Sequence, residues 1–464
     1  MKKVSTSSIL QASLLVRAQL CGFLILLLIP AGVFPTCAGA QSAGQEPPDR
    51  MIDAQMQLEV IDSVTHALNE IYVFPDVAKK MEKHLRQQYK KKAYKDITSL
   101  TEFARKLTED LQEISHDRHL RVIFAPDELL AQFQGDTLTD EAKRQELEEK
   151  RRDNFCFKEI KLLEGNVGYV DLRCFSDAGN AGPTAVAAMN FLAYTDAIIF
   201  DLRNNGGGSP SMIQLITSYF YHEPVHLNSF YIRKSDSTHQ FWTHAHVQGP
   251  RMTDVDLYVL TSSSTFSGAE EFTYNLKNME RATIIGDTTG GGAHPIEIRA
   301  FHNLNVGMSL PFGRAVNPVT GTNWEGTGVT PHMDVPQEKA LDVAHLEALN
   351  KLMKKTEDPD QQAKYQWAID GKQVKLNPVT VEEGQLQAYV GQYGPRKIWV
   401  ENGQLYYQRG EARKYELIPM GEHRFMIEEL GYFRVQFVLD EKGQASEIIG
   451  HYDSGRTDGH KRDK

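Results

Sequence analysis

The chain of 464 residues is predicted to contain an α/β core between a helical N-terminal region and a small all-β C-terminal module. Strand and helix patterns alternate from Cys156 to about Val335, which is typical of an α/β domain. Apolar residues with helical spacing precede this core, and short aromatic strands follow it from Leu386 to Tyr452. The length is sufficient for two or three domains with a substantial core.

The first forty residues differ from the rest in composition. Lys2, Lys3 and Arg17 make the start positive, Leu20 to Ile29 is an apolar run, and Ala38-Gly39-Ala40 matches an A-x-A cleavage site. The apolar run is too short to span a bilayer. Residues 1–40 are therefore predicted to be a signal peptide that is removed after residue 40, and the mature protein is expected to be secreted or periplasmic.

Net charge argues against two kinds of partner. The forty residues carry three positive charges and no carboxylate, so their removal lowers the formal net charge from −10 to −13. Such a negative protein is not expected to bind nucleic acid or an anionic membrane. No other segment is long and apolar enough to predict stable membrane insertion.

The helical region is assigned to residues 41–125 and the core to residues 126–349. A charge-dense stretch from Asp136 to Asp153 is predicted to be a solvated helix or an insertion that covers the core. Two apolar helical faces, the second behind a Ser99/Glu102 capping box, support the helical region: Ile61, Val64, Leu68 and Ile71, then Phe103, Leu107, Leu111 and Ile114.

Two cysteines, Cys156 and Cys174, remain after the predicted cleavage. They flank a predicted β-hairpin that turns at Gly165, and they are equally distant from that turn. A cross-strand disulfide in an oxidising compartment and two reduced core cysteines both fit this pattern.

The C-terminal part changes character twice. Residues 350–378 are polar and are predicted to be a linker. Residues 379–456 alternate short aromatic strands with turn signals, which predicts a small antiparallel barrel or sandwich. Residues 457–464 form a charged tail that is expected to be disordered.

A serine at the start of a helix is the first candidate for chemistry. The segment Asp256 to Leu276 reads as a strand, a Ser/Thr-rich loop and a helix that opens at Ser267. Free backbone N–H groups and the positive end of the helix dipole at such a position favour a nucleophile and a developing oxyanion. Ser267 with Glu270 also matches an ordinary capping box, which is the purely structural alternative.

A glycine turn is the second candidate. The buried-type strand Asp196 to Phe200 runs into Asp201-Leu-Arg-Asn-Asn-Gly-Gly-Gly208 and then a helical pattern. Three glycines between a strand and a helix let backbone amides approach a ligand. The turn lacks the G-K-[ST] ending of a nucleotide P-loop, and a tight structural turn remains the alternative.

Together, LRNNGGG and TSSSTFSGAEEF resemble the motifs of the tail-specific (C-terminal-processing) serine peptidase superfamily. The likeness is nearest to the branch of the interphotoreceptor retinoid-binding protein repeats, with the tricorn protease core more distant, and it covers roughly Ile61 to Leu349. The resemblance implies a crotonase-like core behind a helical bundle and endopeptidase activity on peptides or unfolded proteins without a cofactor.

The resemblance also implies a base for Ser267. Tricorn-like members use a histidine at the place of His119, whereas C-terminal-processing members use a lysine about twenty-five residues after the serine. Here that region, Gly286 to Pro295, contains no lysine but does contain His294, the alternative base or a residue of the substrate cleft. A neutral imidazole can accept and return a proton at neutral pH.

The remaining roles are assigned by the same resemblance. Glu325, in the segment NWEGTGVTP, matches a functional glutamate that would orient the base. The oxyanion hole is expected from the backbone N–H groups of Gly268 and of Gly206 or Gly207. Arg118 stands where relatives carry a second serine, which is a departure from the pattern.

Two functions are therefore weighed, a serine endopeptidase that forms an acyl-enzyme on Ser267 and a non-catalytic binder of apolar ligands or peptides on the same fold. The intact serine, histidine and glutamate favour the peptidase. His239, His244 and His246 lack a suitably spaced carboxylate or cysteine, so no metal site is predicted.

Overall fold

The computed structural model describes residues 49–126, 130 and 140–464. The predicted signal peptide and the start of the charge-dense stretch lie outside the described residues. Within the described part of the chain, no helix is long and apolar enough to cross a membrane. The chain divides into two compact units. The first comprises the described residues up to Lys161, Tyr169–Tyr194 and Phe200–Gln337, and the second comprises Leu162–Gly168, Thr195–Ile199 and Glu338–Lys464.

The N-terminal region is helical, as predicted. Helices α1 (Ala54–Ile71), α2 (Pro75–Lys90) and α3 (Leu100–Ser115) bury their apolar faces in one core. Ser99 caps α3, where its Oγ accepts from the N–H of Glu102 at 3.0 Å. His116 ends α3 in a left-handed conformation, with φ 56°, and strand β1 (Arg121–Phe124) follows.

The charge-dense stretch is helical where it is described. Helix α4 (Asp140–Arg152) has no buried residue. Its i,i+3 and i,i+4 ion pairs, such as Lys150 with Glu146, are typical of a solvated helix.

The core is a six-stranded sheet with helices between its strands, which confirms the predicted α/β class. The glycine turn after β4 and the serine loop after β7 are neighbours, because the Leu202 N–H donates to Leu260 O at 3.0 Å. The strand order is β12-β8-β7-β4-β3-β2. The strands are β2 (Phe157–Leu163), β3 (Val167–Leu172), β4 (Ala197–Asp201), β7 (Asp256–Thr261), β8 (Ala282–Gly286) and β12 (Met333–Asp334), and the helices are α5 (Ala178–Phe191), α6 (Pro210–Thr217) and α7 (Gly268–Asn278).

Two three-stranded sheets complete the first unit, in the orders β1-β10-β9 and β11-β5-β6. Val122 pairs with Met308, so the segment after α3 is joined to the chain that follows His294. Their strands are β1 (Arg121–Phe124), β5 (His226–Ile232), β6 (Ser237–Trp242), β9 (Ile296–Phe301), β10 (Val306–Pro311) and β11 (Gly313–Val316).

The second unit contains an eight-stranded antiparallel sheet in sequential order, β13 to β20. The Asp463 N–H donates to Gln392 O at 2.8 Å and brings the chain end back to the first strand, so the sheet is barrel-like. The elements are α8 (Ala340–Lys355), α9 (Pro359–Leu376), α10 (Glu383–Leu386), β13 (Gly391–Tyr393), β14 (Arg396–Glu401), β15 (Gln404–Arg409), β16 (Tyr415–Gly421), β17 (Arg424–Met426), β18 (Phe433–Leu439), β19 (Ala445–Tyr452) and β20 (Thr457–Lys461).

Two expectations for the C-terminal part differ from the structure. Most of the predicted linker 350–378 is helical, since Asp358 caps α9 and a buried face that includes Tyr365 and Ile369 holds it within the second unit. The predicted tail 457–464 contributes β20, which pairs with β19, and Asp463 beyond it bonds to Gln392 of β13. Cys156 and Cys174 form a disulfide at the base of the β2–β3 hairpin.

Candidate active site

Ser267 occupies a strained backbone position. It precedes α7 with φ 53° and ψ −120°, a region that non-glycine residues rarely adopt and that is found at functional sites. The glycine turn lies against it, because a Cβ on Gly207 would come within 2.8 Å of Ser267 Cβ. Only glycine fits this approach. Ser267 itself is half-buried.

Backbone donors surround this serine. The Gly268 N–H opens α7 and has no partner within the helix. The Gly207 N–H donates to Asn205 Oδ1 at 2.8 Å, so the expectation that Gly207 supplies an oxyanion donor is not supported. The N–H groups of Gly206 and Gly208 have no acceptor among the described residues. The nitrogen of Gly208 would lie 2.9 Å from a Cβ on Gly268, which makes it the nearer of these two donors.

His119 lies beside the serine turn and is almost fully buried. Its ring centroid is 4.7 Å from that of Phe266, the residue before Ser267. Its Nδ1 is buried without a hydrogen-bond partner among the described residues. Burial lowers the pKa of His119 to about 4, so the imidazole is neutral at neutral pH.

His294 is held by Asp117, a residue that the sequence analysis did not single out. Its Nδ1 donates to Asp117 Oδ2 at 2.7 Å, and Tyr72 OH donates to the same oxygen at 3.1 Å. Burial opposes the charged form of His294, but the hydrogen bond and charge of Asp117 outweigh it and raise the pKa of His294. In the same way, His294 overcomes the effect of burial on Asp117 and holds the pKa of that carboxyl below its ordinary value.

Asp117 also contacts His119. Its Oδ1 accepts from the His119 backbone N–H at 3.1 Å, an Asx-type contact two residues along the chain. One buried carboxylate therefore links both candidate bases. The D-x-H spacing is a local signal that could have identified Asp117, whereas its contact with His294 spans 177 positions.

Glu325 lies next to His294. Its Oε2 accepts from the Ala293 N–H at 2.6 Å and lies 3.4 Å from His294 Nδ1. Its Oε1 is buried without a partner among the described residues. Burial, and then the negative charge of Asp117, raise the pKa of Glu325 above its ordinary value.

Glu270 does more than cap α7. Its Oε2 accepts from the N–H groups of Ser267 at 2.9 Å and Gly292 at 2.8 Å, and its Oε1 accepts from Thr289 Oγ1 and the Gly291 N–H. Burial nevertheless raises the pKa of Glu270 to about 7, although these four donors oppose the shift. One side chain therefore holds the serine turn against the loop 289–292.

Arg118 anchors the same loop from the other side. Its Nη1 donates to Gly290 O at 2.7 Å. Gly292 lies close to the base, because a Cβ there would come within 2.6 Å of His119 Cε1. Arg118, which departs from the family pattern, therefore stabilises the loop that borders His119.

The candidate nucleophile is not hydrogen-bonded to either candidate base. Among the described residues, no hydrogen bond joins Ser267 Oγ to His119 or to His294. Catalytic hydrogen bonds are often long in the absence of substrate. The His119 ring contacts Phe266, the residue that precedes Ser267. His239, His244 and His246, by contrast, share no ligand cluster in the described part of the chain.

A half-buried serine at a helix start, a buried histidine, carboxylates and backbone N–H groups without an acceptor among the described residues are the components that a serine hydrolase site uses. Residues 166–335 match the model of peptidase family S41, and residues 54–157 match the model of the N-terminal domain of that family in eukaryotic IRBP. The chain belongs to this tail-specific peptidase superfamily and is a serine-type peptidase.

Solved structures show weaker likeness. A putative S41 protease from Bacteroides fragilis is 18% identical over 40% of this chain and 52% of that chain, with a TM-score of 0.36. A putative peptidase from Parabacteroides merdae is 17% identical over 64% and 97%, with a TM-score of 0.45. The photosystem II D1 C-terminal processing protease is 16% identical over 61% and 94%, with a TM-score of 0.38. Family membership rests on the two sequence matches.

Proposed function

We propose that this protein is an exported endopeptidase in which Ser267 forms an acyl-enzyme and His119 is the general base. The observation that carries the proposal is the strained, half-buried Ser267 beside the N–H groups of Gly268 and Gly208, which have no acceptor among the described residues. Such donors stabilise an oxyanion in a water-poor site. The substrates are peptides or unfolded proteins.

In the proposed mechanism, Ser267 Oγ attacks the scissile carbonyl carbon while His119 takes its proton. The carbonyl oxygen becomes an oxyanion that accepts from Gly268 and Gly208. The imidazolium then protonates the leaving amine, and water activated by the same histidine releases the acyl group. Asp117 and Glu325 stabilise the positive charge that appears on His119 in each half of the reaction.

His119 is favoured over His294 as the base because of the charge and position of the two rings. The hydrogen bond from His294 Nδ1 to Asp117 at 2.7 Å favours the charged form of His294, and a charged ring cannot accept the proton of Ser267. His119 is neutral, and it lies against the residue that precedes the nucleophile. We propose that His294 acts through its positive charge and its hydrogen bond to Asp117, and that it is not the proton acceptor.

Export is proposed from two observations. Residues 1–40 have the composition of a signal peptide. The Cys156–Cys174 disulfide supports folding in an oxidising compartment.

A fluorophosphonate probe tests the nucleophile. We expect wild-type protein to be labelled, Ser267→Ala to lose labelling and peptide hydrolysis, and Ser264→Ala, an exposed serine of the same loop, to keep both. His119→Ala should slow labelling by about 100- to 10,000-fold, whereas the exposed-residue control His239→Ala should not. Folded wild-type protein that stays unlabelled would instead favour the binding function.

A further inference from the structure

Three side chains beside the serine come together in the manner of metal ligands. Asp117, His119 and Glu325 each offer one ligand atom, and these atoms lie within 4.8 Å of one another. Asp117 and His119 are buried, with 0% and 9% exposure, and the Glu325 side chain is 14% exposed. The cluster is thus shielded from bulk solvent but is open at Glu325.

Two of the three side chains each have a buried atom without a partner among the described residues. His119 Nδ1 and Glu325 Oε1 are both buried without a hydrogen bond among the described residues. Leaving polar atoms buried and unpaired costs free energy, and such atoms call for an explanation. A neutral imidazole nitrogen and a carboxylate oxygen both supply electron pairs, so one cation can satisfy them together.

The types of ligand favour a particular ion. One imidazole and two carboxylates form a mixed nitrogen and oxygen set that suits Zn²⁺, whereas Mg²⁺ and Ca²⁺ prefer oxygen ligands alone. Hydrogen-bond donors already hold the carboxylates of Asp117 and Glu325 in place. Tyr72 and His294 donate to Asp117, and the Ala293 N–H donates to Glu325, as outer groups do in metal sites.

A second cluster of similar composition provides the contrast. His84, Asp110 and Glu113 also bring ligand atoms together. There, Lys106 Nζ lies 2.7 Å from Asp110 Oδ1 and Tyr94 OH lies 2.6 Å from Oδ2. Unlike the first cluster, none of these three residues has a buried side-chain atom without a partner among the described residues, so this cluster serves as a control.

We propose that Asp117, His119 and Glu325 bind one Zn²⁺ ion and that this ion reversibly inhibits the peptidase. Bound zinc occupies an electron pair of His119 and adds positive charge beside it, so the imidazole no longer accepts the proton of Ser267. The binding site stands on the geometry alone, while the inhibition rests on the proposed function.

Binding is measured on the Ser267→Ala protein, in which the ligands are intact but no turnover occurs. Isothermal titration with Zn²⁺, and the visible absorption of Co²⁺ as a spectroscopic substitute, should report one tight site. Glu325→Gln and His119→Gln in this background should each weaken that site by about 10- to 100-fold or more, with the fold checked by circular dichroism. Asp110→Asn should leave it unchanged.

Inhibition is measured on wild-type protein as the rate at which the fluorophosphonate probe labels Ser267. Zn²⁺ should stop labelling, and EDTA should restore it. Absence of tight binding in Ser267→Ala, or tight binding that persists in both Glu325→Gln and His119→Gln, overturns the inference. If wild-type protein is unlabelled even with EDTA while the tight site is present, the proposed function fails and the metal site stands.

Discussion

Glu270 accepts a hydrogen bond from the backbone N–H of Ser267 at 2.9 Å and thereby ties the candidate nucleophile to the loop that leads to His294. A residue that a sequence pattern assigns to helix capping is thus part of the framework of the site. The geometry of the serine, and with it the rate of acylation, depends on this carboxylate.

We therefore expect Glu270→Gln to reduce the rate of probe labelling at Ser267 by on the order of 100-fold, because a shift of about 1 Å in a reacting group has this effect. The amide presents an NH₂ group where the carboxylate oxygens accept from four donors. Labelling kinetics and near-UV circular dichroism are the measurements. A folded variant labelled at the wild-type rate would remove Glu270 from the framework.

The burial of Glu271, the residue after Glu270, predicts that the free energy of unfolding depends on pH. Burial raises its pKa from 4.5 to about 7 in the folded protein. The folded state therefore binds more protons than the unfolded state between these values. This contribution to stability is fully present below about pH 4.5 and is lost as pH rises through about 7.

Glu271→Gln should accordingly gain stability relative to wild type as pH rises across that window, by up to about 3 kcal/mol. The measurement is urea unfolding of both proteins at several pH values, since their difference cancels the other titrating groups. Glu347→Gln, at an exposed position of α8, is the control and should follow the wild type. A constant difference between Glu271→Gln and wild type would contradict the expectation.

The disulfide is predicted to support the glycine turn. Phe175, next to Cys174, donates its N–H to Gly207 O at 2.8 Å and accepts from the Ser209 N–H at 2.6 Å. Replacing both cysteines by serine should lower the free energy of unfolding by about 2 to 5 kcal/mol. It should also slow labelling of Ser267, because the turn that carries the Gly208 N–H is less firmly held.

Urea unfolding with and without a reducing agent measures the first effect, and labelling kinetics under native conditions measure the second. The double-serine protein should be insensitive to the reducing agent. If its labelling rate equals that of the oxidised wild type, the disulfide stabilises the fold without any influence on the glycine turn.

The sequence could predict those parts of the site whose structure depends on residues that are close together in the chain. The strand-loop-helix around Ser267 and the turn at Gly206 to Gly208 follow from hydrophobic runs and glycine spacing. Asp117 was not identified because its partner His294 is 177 positions away. For Glu270, the sequence indicated only the local contact with Ser267 and not the contacts with the loop 289–292. The sequence could not show that the Gly207 N–H is unavailable as an oxyanion donor. That N–H donates to the Asn205 side chain only once the turn has folded.

The same physical reason explains the C-terminal differences. The polar residues of 359–376 suggested a linker, but Tyr365, Ile369 and Val374 form a buried stripe once the second unit supplies a surface for it. A helix stabilised mainly by packing leaves a weak signal in its own sequence. The predicted barrel or sandwich was clearer because strand alternation repeats in every hairpin.

The last prediction concerns where the chain can be cut. Sequence patterns favoured a boundary near Pro378, yet α9 packs on the β-module: Trp367 Nε1 donates to Gly431 O at 2.7 Å, and the Arg434 guanidinium lies 3.9 Å from the Trp367 ring. A chain that ends at Pro378 loses these partners and exposes the buried stripe of α9. We expect it to aggregate in size-exclusion chromatography, while its soluble fraction still labels at Ser267 because no candidate catalytic residue follows Glu325. A monomeric truncated chain with the wild-type melting temperature would show instead that α9 folds independently of the β-module.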